Sequence, residues 1–314
     1  MLFEPKITVI TICYNTEAYV AETIESVLNQ RFKSFEYIIV DDNSTDASWG
    51  KIKSFNDARI KSYRNEKNLG EYRNRNKAID LATGDYIIFI DGDDIMYPNA
   101  IETFYYYIKL FPEAAMFFCR SRDPRILCPY KLNAEDIYRF EYFDRGIMGQ
   151  NFTQVLFKRS KIIENGYFPG HISTGDAYMQ LKISLKNWAV VVNDGLTWWR
   201  RRRDSATERF FKNETYLAEE LNYKIDFLND ASCPLNENEK DLAKIRIYGS
   251  YLRKLLRMII KFKIKVVSYL LKNIKIPKRY YKSVLVRNNH LYFGSFYGEK
   301  PLHTVTAHVL ESIE

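Results

Sequence analysis

Residues 86–98 read YIIFIDGDDIMYP: five apolar residues, Tyr86 to Ile90, run into three carboxylates, Asp91, Asp93 and Asp94, spaced by one glycine. The apolar run has the length and β-branched content of a buried strand. Its acidic end reads either as a turn or as an oxygen-rich site, because Asp and Gly serve both. The flanking sequence decides the fold. Ile7 to Cys13 (ITVITIC) and Phe35 to Val40 are further buried strands, and Ile60 to Arg64 is a shorter one. Between them, Val20 to Gln30 sets Val20, Ile24, Val27 and Leu28 on one helical face, and Glu71 to Ala82 reads as a helix. Strand, turn and helix thus alternate, which predicts an α/β fold with a mostly parallel sheet. Ala114 to Cys119, Val155 to Phe157, Ala189 to Val192 and Leu196 to Trp199 are later strand candidates.

Ligands of open parallel sheets sit beyond the carboxyl ends of the strands. Three polar clusters fall at such ends: TICYN after the first strand, DDNS after the second and DGDD after the fourth. Either acidic cluster alone reads equally well as a loop; their recurrence at one edge favours a site. Carboxylates alternating with a small residue can face a hard divalent ion, while the glycine lets backbone or ligand approach. A calcium loop of EF-hand type is a poor match, because Met96 stands where its sharp-turn glycine is required. Mg²⁺ or Mn²⁺, sharing its coordination with a diphosphate, fits better.

Composition narrows the class. At 314 residues and 46% hydrophobic content, the chain can bury a large core. Cys13, Cys119, Cys128 and Cys233 are far apart, which argues against a zinc site or a disulfide framework and suits a reducing, cytoplasmic setting. The start, MLFEPKITVITICYN, lacks the basic opening and apolar centre of an export signal. No window reaches the roughly 18 uncharged apolar residues of a spanning helix. The net charge of +8 is concentrated: Leu242 to Lys282 holds 13 basic residues and no acid, so the remainder is net acidic. This segment predicts a helix up to Pro277, with apolar steps of three and four from Ile245 to Ile274; IIKFKIKVV also alternates, which leaves a strand as the weaker reading. A basic amphipathic helix suits an anionic membrane surface, and equally a basic outer face on a packed helix. No zinc, helix-turn-helix or RNA-binding signature accompanies it, so no nucleic-acid partner is expected. At SATE, Ser205 and Glu208 have capping-box spacing, and a helix toward Asn229 is expected.

The run ITVITICYNTEAYVAETIESVLNQRFKSFEYIIVDDNSTDAS, followed by NLGEYRNRNKAIDLATGDYIIFIDGDD, resembles the nucleotide-sugar-binding half of the family 2 glycosyltransferases, which have the GT-A fold. The match is strong through about residue 100 and weaker to about Thr207. The resemblance implies a GT-A catalytic domain over 1–207, with a mostly helical, basic extension over 208–314. It also implies an inverting transfer of one sugar from a nucleoside-diphosphate sugar, a UDP-sugar being the commonest case, to a saccharide or lipid-linked saccharide in surface polysaccharide synthesis. Position by position, Thr11, Tyr14 and Asn15 would border the nucleoside. Asp42, with Asp41 beside it, would meet the base, and Arg75 and Asn76 would border the nucleotide or brace its loop. Asp91 and Gly92 would approach the ribose or the metal's water shell, and Asp93 would bind the metal.

GYFPGHISTGDAYMQLKIS resembles the family's acceptor-side segment. Asp176 matches the catalytic base, although a helix N-cap is the alternative for an acid ahead of AYMQLKISL. This chain has Gly175-Asp176 where the family often has Glu-Asp. His171 is a candidate acceptor contact. WWRRRRDSAT resembles an aromatic-Arg-x-His-x-x-Ser segment, with Trp199, Arg200 and Ser205 in register and Arg202 in the histidine position. A guanidinium there cannot ligate metal but can clamp phosphate oxygens. Two other readings are a sugar nucleotidyltransferase, whose glycine-rich phosphate loop is missing from ITICYNTEAYV, and a nucleic-acid- or membrane-binding protein with an inactive GT-A domain.

Overall fold

A computed structural model describes residues 4–119, 128–144, 146, 148–149, 151–193, 195–201 and 216–285. The expected parallel strands form as β1 (Ile7–Cys13), β2 (Glu36–Asp41), β3 (Ile60–Arg64) and β4 (Tyr86–Asp91), in the spatial order β3-β2-β1-β4. Their side chains alternate between two cores. On one side Val9, Ile88 and Ile90 pack with Val20, Ile24 and Val27 of α1 (Val20–Leu28). On the other, Ile10, Ile87 and Phe89 pack with Ala78 and Ile79 of α3 (Glu71–Leu81), which follows α2 (Ser48–Lys53) in the helix count. Burial on both faces explains why these strands read as continuous apolar runs.

Beyond β4 the sheet is mixed. A two-residue strand β5 (Ile95–Met96) and helix α4 (Ala100–Leu110) precede β6 (Met116–Cys119). The short β7 (Tyr130–Leu132) and helix α5 (Ala134–Phe143), started by Asn133 accepting from the Asp136 N–H, lie in a stretch with little sequence signal. Strand β8 (Val155–Lys158) runs antiparallel between β4 and β6; α6 (Arg159–Glu164) and α7 (Gly175–Ser184) lead to β9 (Ala189–Val192), parallel to β6. The Leu196–Trp199 candidate shrinks to β10 (Thr197–Trp198), paired only with β5.

The helical region comprises α8 (Tyr216–Asn229), α9 (Glu237–Ile260), α10 (Ile264–Asn273) and a 3-10 segment, Lys278–Leu285. A capping box between Asn236 and Glu239 starts α9. Two expectations are corrected. The helix from Ile245 to Ile274 is broken between Ile260 and Ile264, and the alternating reading of IIKFKIKVV forms no strand. Nor is the whole segment laid on a surface, since Leu255, Met258, Val267 and Leu270 pack inward with Leu217 and Leu221. Tyr223, Phe227 and Leu228 of α8 also share a core with Tyr138 and Tyr142 of α5 and Leu181 of α7, tying the helices to the α/β part. The expected junction near Thr207, with Ser205 and Glu208, lies outside the described residues. Among the described residues no helix is long and apolar enough to cross a membrane.

Candidate active site

The parallel register puts Cys13 beside Asp41 and Ile12 beside Asp91, so the three polar clusters emerge at one sheet edge. Gly92 is held there because its N–H donates to the Ile12 carbonyl at 3.0 Å. A Cβ at Gly92 would lie 2.8 Å from the Thr16 hydroxyl and 3.1 Å from the Ile12 oxygen, so only glycine fits. Asp91 remains about one-third exposed, and Asp93 is half-buried. Asp94 is 1% exposed: its Oδ1 accepts the Arg200 N–H at 2.9 Å, whereas Oδ2 is buried with no hydrogen-bond partner. Burial, reinforced by the charges of Asp91 and Asp93, pushes its pKa up to about 8.

Arg75 sits beneath this turn. Its Nη2 donates to Asp91 at 2.7 Å and lies 3.3 Å from Glu71, while its guanidinium stacks 3.7 Å over the Phe152 ring. Burial alone would lower its pKa, but Asp91 and Glu71 outweigh that and keep it charged. Arg75 Nε and Nη1 are buried without hydrogen-bond partners, the signature of a cation short of acceptors.

Several expected contacts with the nucleotide are engaged within the protein. The Thr11 hydroxyl, expected to border the nucleoside, is buried against Tyr37 Oη at 2.9 Å. The Asp41 carboxylate accepts from both the Ser44 N–H and hydroxyl, and Arg64 Nε lies 3.3 Å away. Asp42 accepts from Asn65 Nδ2 at 2.7 Å, Leu69 N–H at 2.8 Å and Gly70 N–H at 2.9 Å, leaving little carboxylate capacity for a base. Asn15, at φ 51°, accepts from the Thr45 N–H at 2.9 Å, so Tyr14, 47% exposed, is the ring of this group left facing outward. Asn76 makes a two-way amide pair with the Phe168 backbone, at 2.8 and 3.0 Å.

Asp176 is the second residue of α7, not its cap; Thr174 holds the cap position and makes no capping bond. The half-buried Asp176 side chain accepts its neighbour's Ala177 N–H at 2.8 Å. Burial, opposed by that bond and aided by Glu71, raises its pKa to about 6. Tyr72 anchors the turn before it: its hydroxyl donates to the Ser173 carbonyl at 2.9 Å and accepts the Gly175 N–H at 2.8 Å. A Cβ on Gly175 would lie 2.7 Å from the Tyr72 ring, so glycine is required and the glutamate often found in the family has no room. The sequence reading missed Tyr72 and Glu71; the Gly175 departure was the available signal for Tyr72. His171 is exposed.

Arg200 closes the opposite side. Its Nε donates to the Asp93 carbonyl at 2.8 Å and its Nη2 to Glu22 at 2.6 Å. It also stacks near Tyr19 and Trp198, and a cleft of about 500 Å³ is lined by Tyr19, Trp198, Trp199, Arg200 and Arg201. Arg202 lies outside the described residues. Among the described residues no cluster of three or more His, Cys, Asp or Glu side chains is arranged around one point. The partly exposed carboxylates of Asp91 and Asp93 are nonetheless the hard oxygen donors that suit Mg²⁺ or Mn²⁺ when phosphate and water complete the shell.

Residues 8–161 match the sequence profile of the family described as Glycosyl transferase family 2. Glycosyltransferase GlyA of Streptococcus pneumoniae is 31% identical over 170 residues, covering 53% of this chain and 22% of GlyA. The chain therefore spans about a fifth of that relative's length. TarS of S. aureus, residues 1–349 in complex with UDP-GlcNAc, superposes with a TM-score of 0.64 at 19% identity, over 89% of this chain and 81% of TarS. The mannosyltransferase PcManGT from Pyrobaculum calidifontis, in complex with GDP-Man and Mn²⁺, gives a TM-score of 0.59 at 17% identity, over 98% and 80% of the two chains. The sheet order, the Asp-Gly-Asp turn and these matches agree: residues 8–161 form a domain that matches glycosyl transferase family 2, and the fold is GT-A.

Proposed function

We propose that the chain is an inverting glycosyltransferase that moves one sugar from a nucleoside-diphosphate sugar, a UDP-sugar first among candidates, to a hydroxyl of a saccharide or lipid-linked saccharide. The observation that carries this is the double role of α3: Arg75 holds Asp91, and Tyr72, nearly one turn earlier, anchors the Gly175–Asp176 turn. One rigid helix thus spaces an acidic, phosphate-facing edge from a candidate base. Similarity to proteins bound to UDP-GlcNAc and to GDP-Man supports a nucleotide-sugar donor.

In this reading Tyr14 borders the nucleoside, and Asp42 orders the Asn65–Gly70 loop around it. Arg75 orients Asp91 through their hydrogen bond, and Arg200 supports the Asp93 backbone. Asp91 and Asp93 would hold Mg²⁺ or Mn²⁺, which supplies charge neutralisation for the departing diphosphate. Asp176 takes the acceptor hydroxyl's proton as that oxygen attacks the anomeric carbon from the face opposite the leaving group. The new glycosidic bond forms as the bond to the diphosphate breaks, and the proton ends on Asp176. Holding both substrates in line supplies much of the acceleration. A role in surface polysaccharide synthesis at the cytoplasmic face of the membrane follows as part of the same proposal.

The test is a panel of nucleotide sugars assayed for metal-dependent hydrolysis and for transfer to saccharide acceptors. Asp93→Ala and Asp176→Ala are each expected to abolish transfer. Wild-type turnover by the Asp176 variant would remove that residue from the role, and silence across the whole panel would sink the transferase reading.

A further inference from the structure

The turn between α9 and α10 is built against local preference. Lys263 N–H bonds to the Met258 carbonyl at 2.9 Å and Phe262 N–H to the Ile259 carbonyl at 3.0 Å, the paired bonds of a Schellman helix end. The residue after the cap must then adopt a left-handed backbone, and here it is Phe262, at φ 55°. Glycine is the usual occupant, because a bulky side chain is strained there. The strained residue is also 89% exposed, and Ile260 and Ile264 beside it are 75% and 56% exposed. Lys261, Lys263 and Lys265 alternate with these apolar side chains and are all exposed. No acid occurs between Leu242 and Lys282.

Folding alone explains neither the strain nor the exposure, since the inward faces of α9 and α10 already bury Leu255, Met258, Val267 and Leu270. We propose that this turn, Ile259 to Lys265, is a membrane-insertion tip: Ile260, Phe262 and Ile264 enter the acyl boundary of an anionic bilayer while the three lysines engage its headgroups. Leu256 and Ile259, 50% and 45% exposed on the last turns of α9, extend the apolar surface. An RNA partner would use the lysines and could stack one base on Phe262, but isoleucines offer nothing to stack on. The tip therefore fits lipid better. The proposal narrows the surface expected for 242–282 to one turn and does not depend on the transferase reading.

The experiment is flotation of the full chain with vesicles of phosphatidylcholine alone or with 30% phosphatidylglycerol, beside sedimentation velocity and titration with a single-stranded RNA oligonucleotide. Wild type is expected to float with the anionic vesicles only, and less as salt rises. Phe262→Gly, which suits the left-handed position, should keep or raise the melting temperature while lowering partitioning about tenfold or more. Replacing Lys261, Lys263 and Lys265 by Gln should weaken binding roughly fivefold per charge. Flotation of Phe262→Gly equal to wild type would overturn the proposal. So would equal binding to neutral vesicles, or an absence of flotation accompanied by RNA binding or by self-association that Phe262→Gly abolishes.

Discussion

The Tyr72 hydroxyl accepts the Gly175 N–H at 2.8 Å, and the Tyr72 ring occupies the space a side chain at position 175 would need. The two residues are 103 positions apart, and together they set the backbone that carries Asp176.

Exchange at this contact should be asymmetric. Gly175→Glu places a Cβ 2.7 Å from the ring and is expected to destabilise the fold by about 1–3 kcal/mol through overpacking. Adding Tyr72→Ala should recover part of that stability by opening the space. Tyr72→Phe keeps the ring, loses both hydrogen bonds and should lower stability by about 1 kcal/mol. Urea denaturation of wild type, Gly175→Glu, Tyr72→Ala, their double variant and Tyr72→Phe measures this; additive losses in the double variant would contradict the contact.

As the proposed base, Asp176 would tie activity to pH. With its pKa near 6, a base at this position is ionised above that value, so kcat/KM should rise about tenfold per pH unit below 6 and level off above it. Stability runs the other way. The folded-state pKa is raised, so the neutral acid's contribution is complete below the ordinary value of 3.8 and is lost as pH climbs through 6. Asp176→Asn should therefore melt higher than wild type at pH 7 while losing transfer by about hundredfold or more. A flat pH profile in the wild type would contradict the assignment.

Metal dependence should centre on the Asp-Gly-Asp turn. Chelation with EDTA is expected to reduce donor turnover by at least about hundredfold, with recovery on adding Mn²⁺ or Mg²⁺. Asp93→Asn should raise the metal concentration needed for half-maximal rate. Activity unchanged by chelation would leave the diphosphate to the arginines alone.

The Arg75 pair is expected to act as a stability element as well as part of the candidate site. Arg75→Met leaves Asp91 without its cation, and because Asp91 is about one-third exposed the expected loss is about 2–3 kcal/mol, below that of a fully buried pair. Arg75→Lys should lose the stacking on Phe152 and recover only part of the stability. Chemical denaturation distinguishes them; a Lys variant as stable as wild type would show that charge alone suffices.

The sequence by itself determined the parallel half of the fold and the edge where its polar clusters meet. Strands buried on both faces must be apolar throughout, and the loops at their ends are released from that demand, so both are visible in one dimension. The GT-A domain was legible from the same motifs, as was the placement of Asp91, Gly92 and Asp93. Only the tertiary structure decided which polar groups are free. Thr11, Asp41 and Asp42 carry the right chemistry at the right places, yet Tyr37, Ser44 and the Asn65–Gly70 loop take up their hydrogen bonds, and no local pattern reports those distant partners. The helix break at Phe262 was hidden for a related reason. Its apolar residues keep a helical step on both sides, and the turn is set by two backbone hydrogen bonds that side-chain periodicity does not record. Tyr72 was silent in sequence because its role exists only once α3 packs against the turn before α7, where a ring and an absent side chain share one volume.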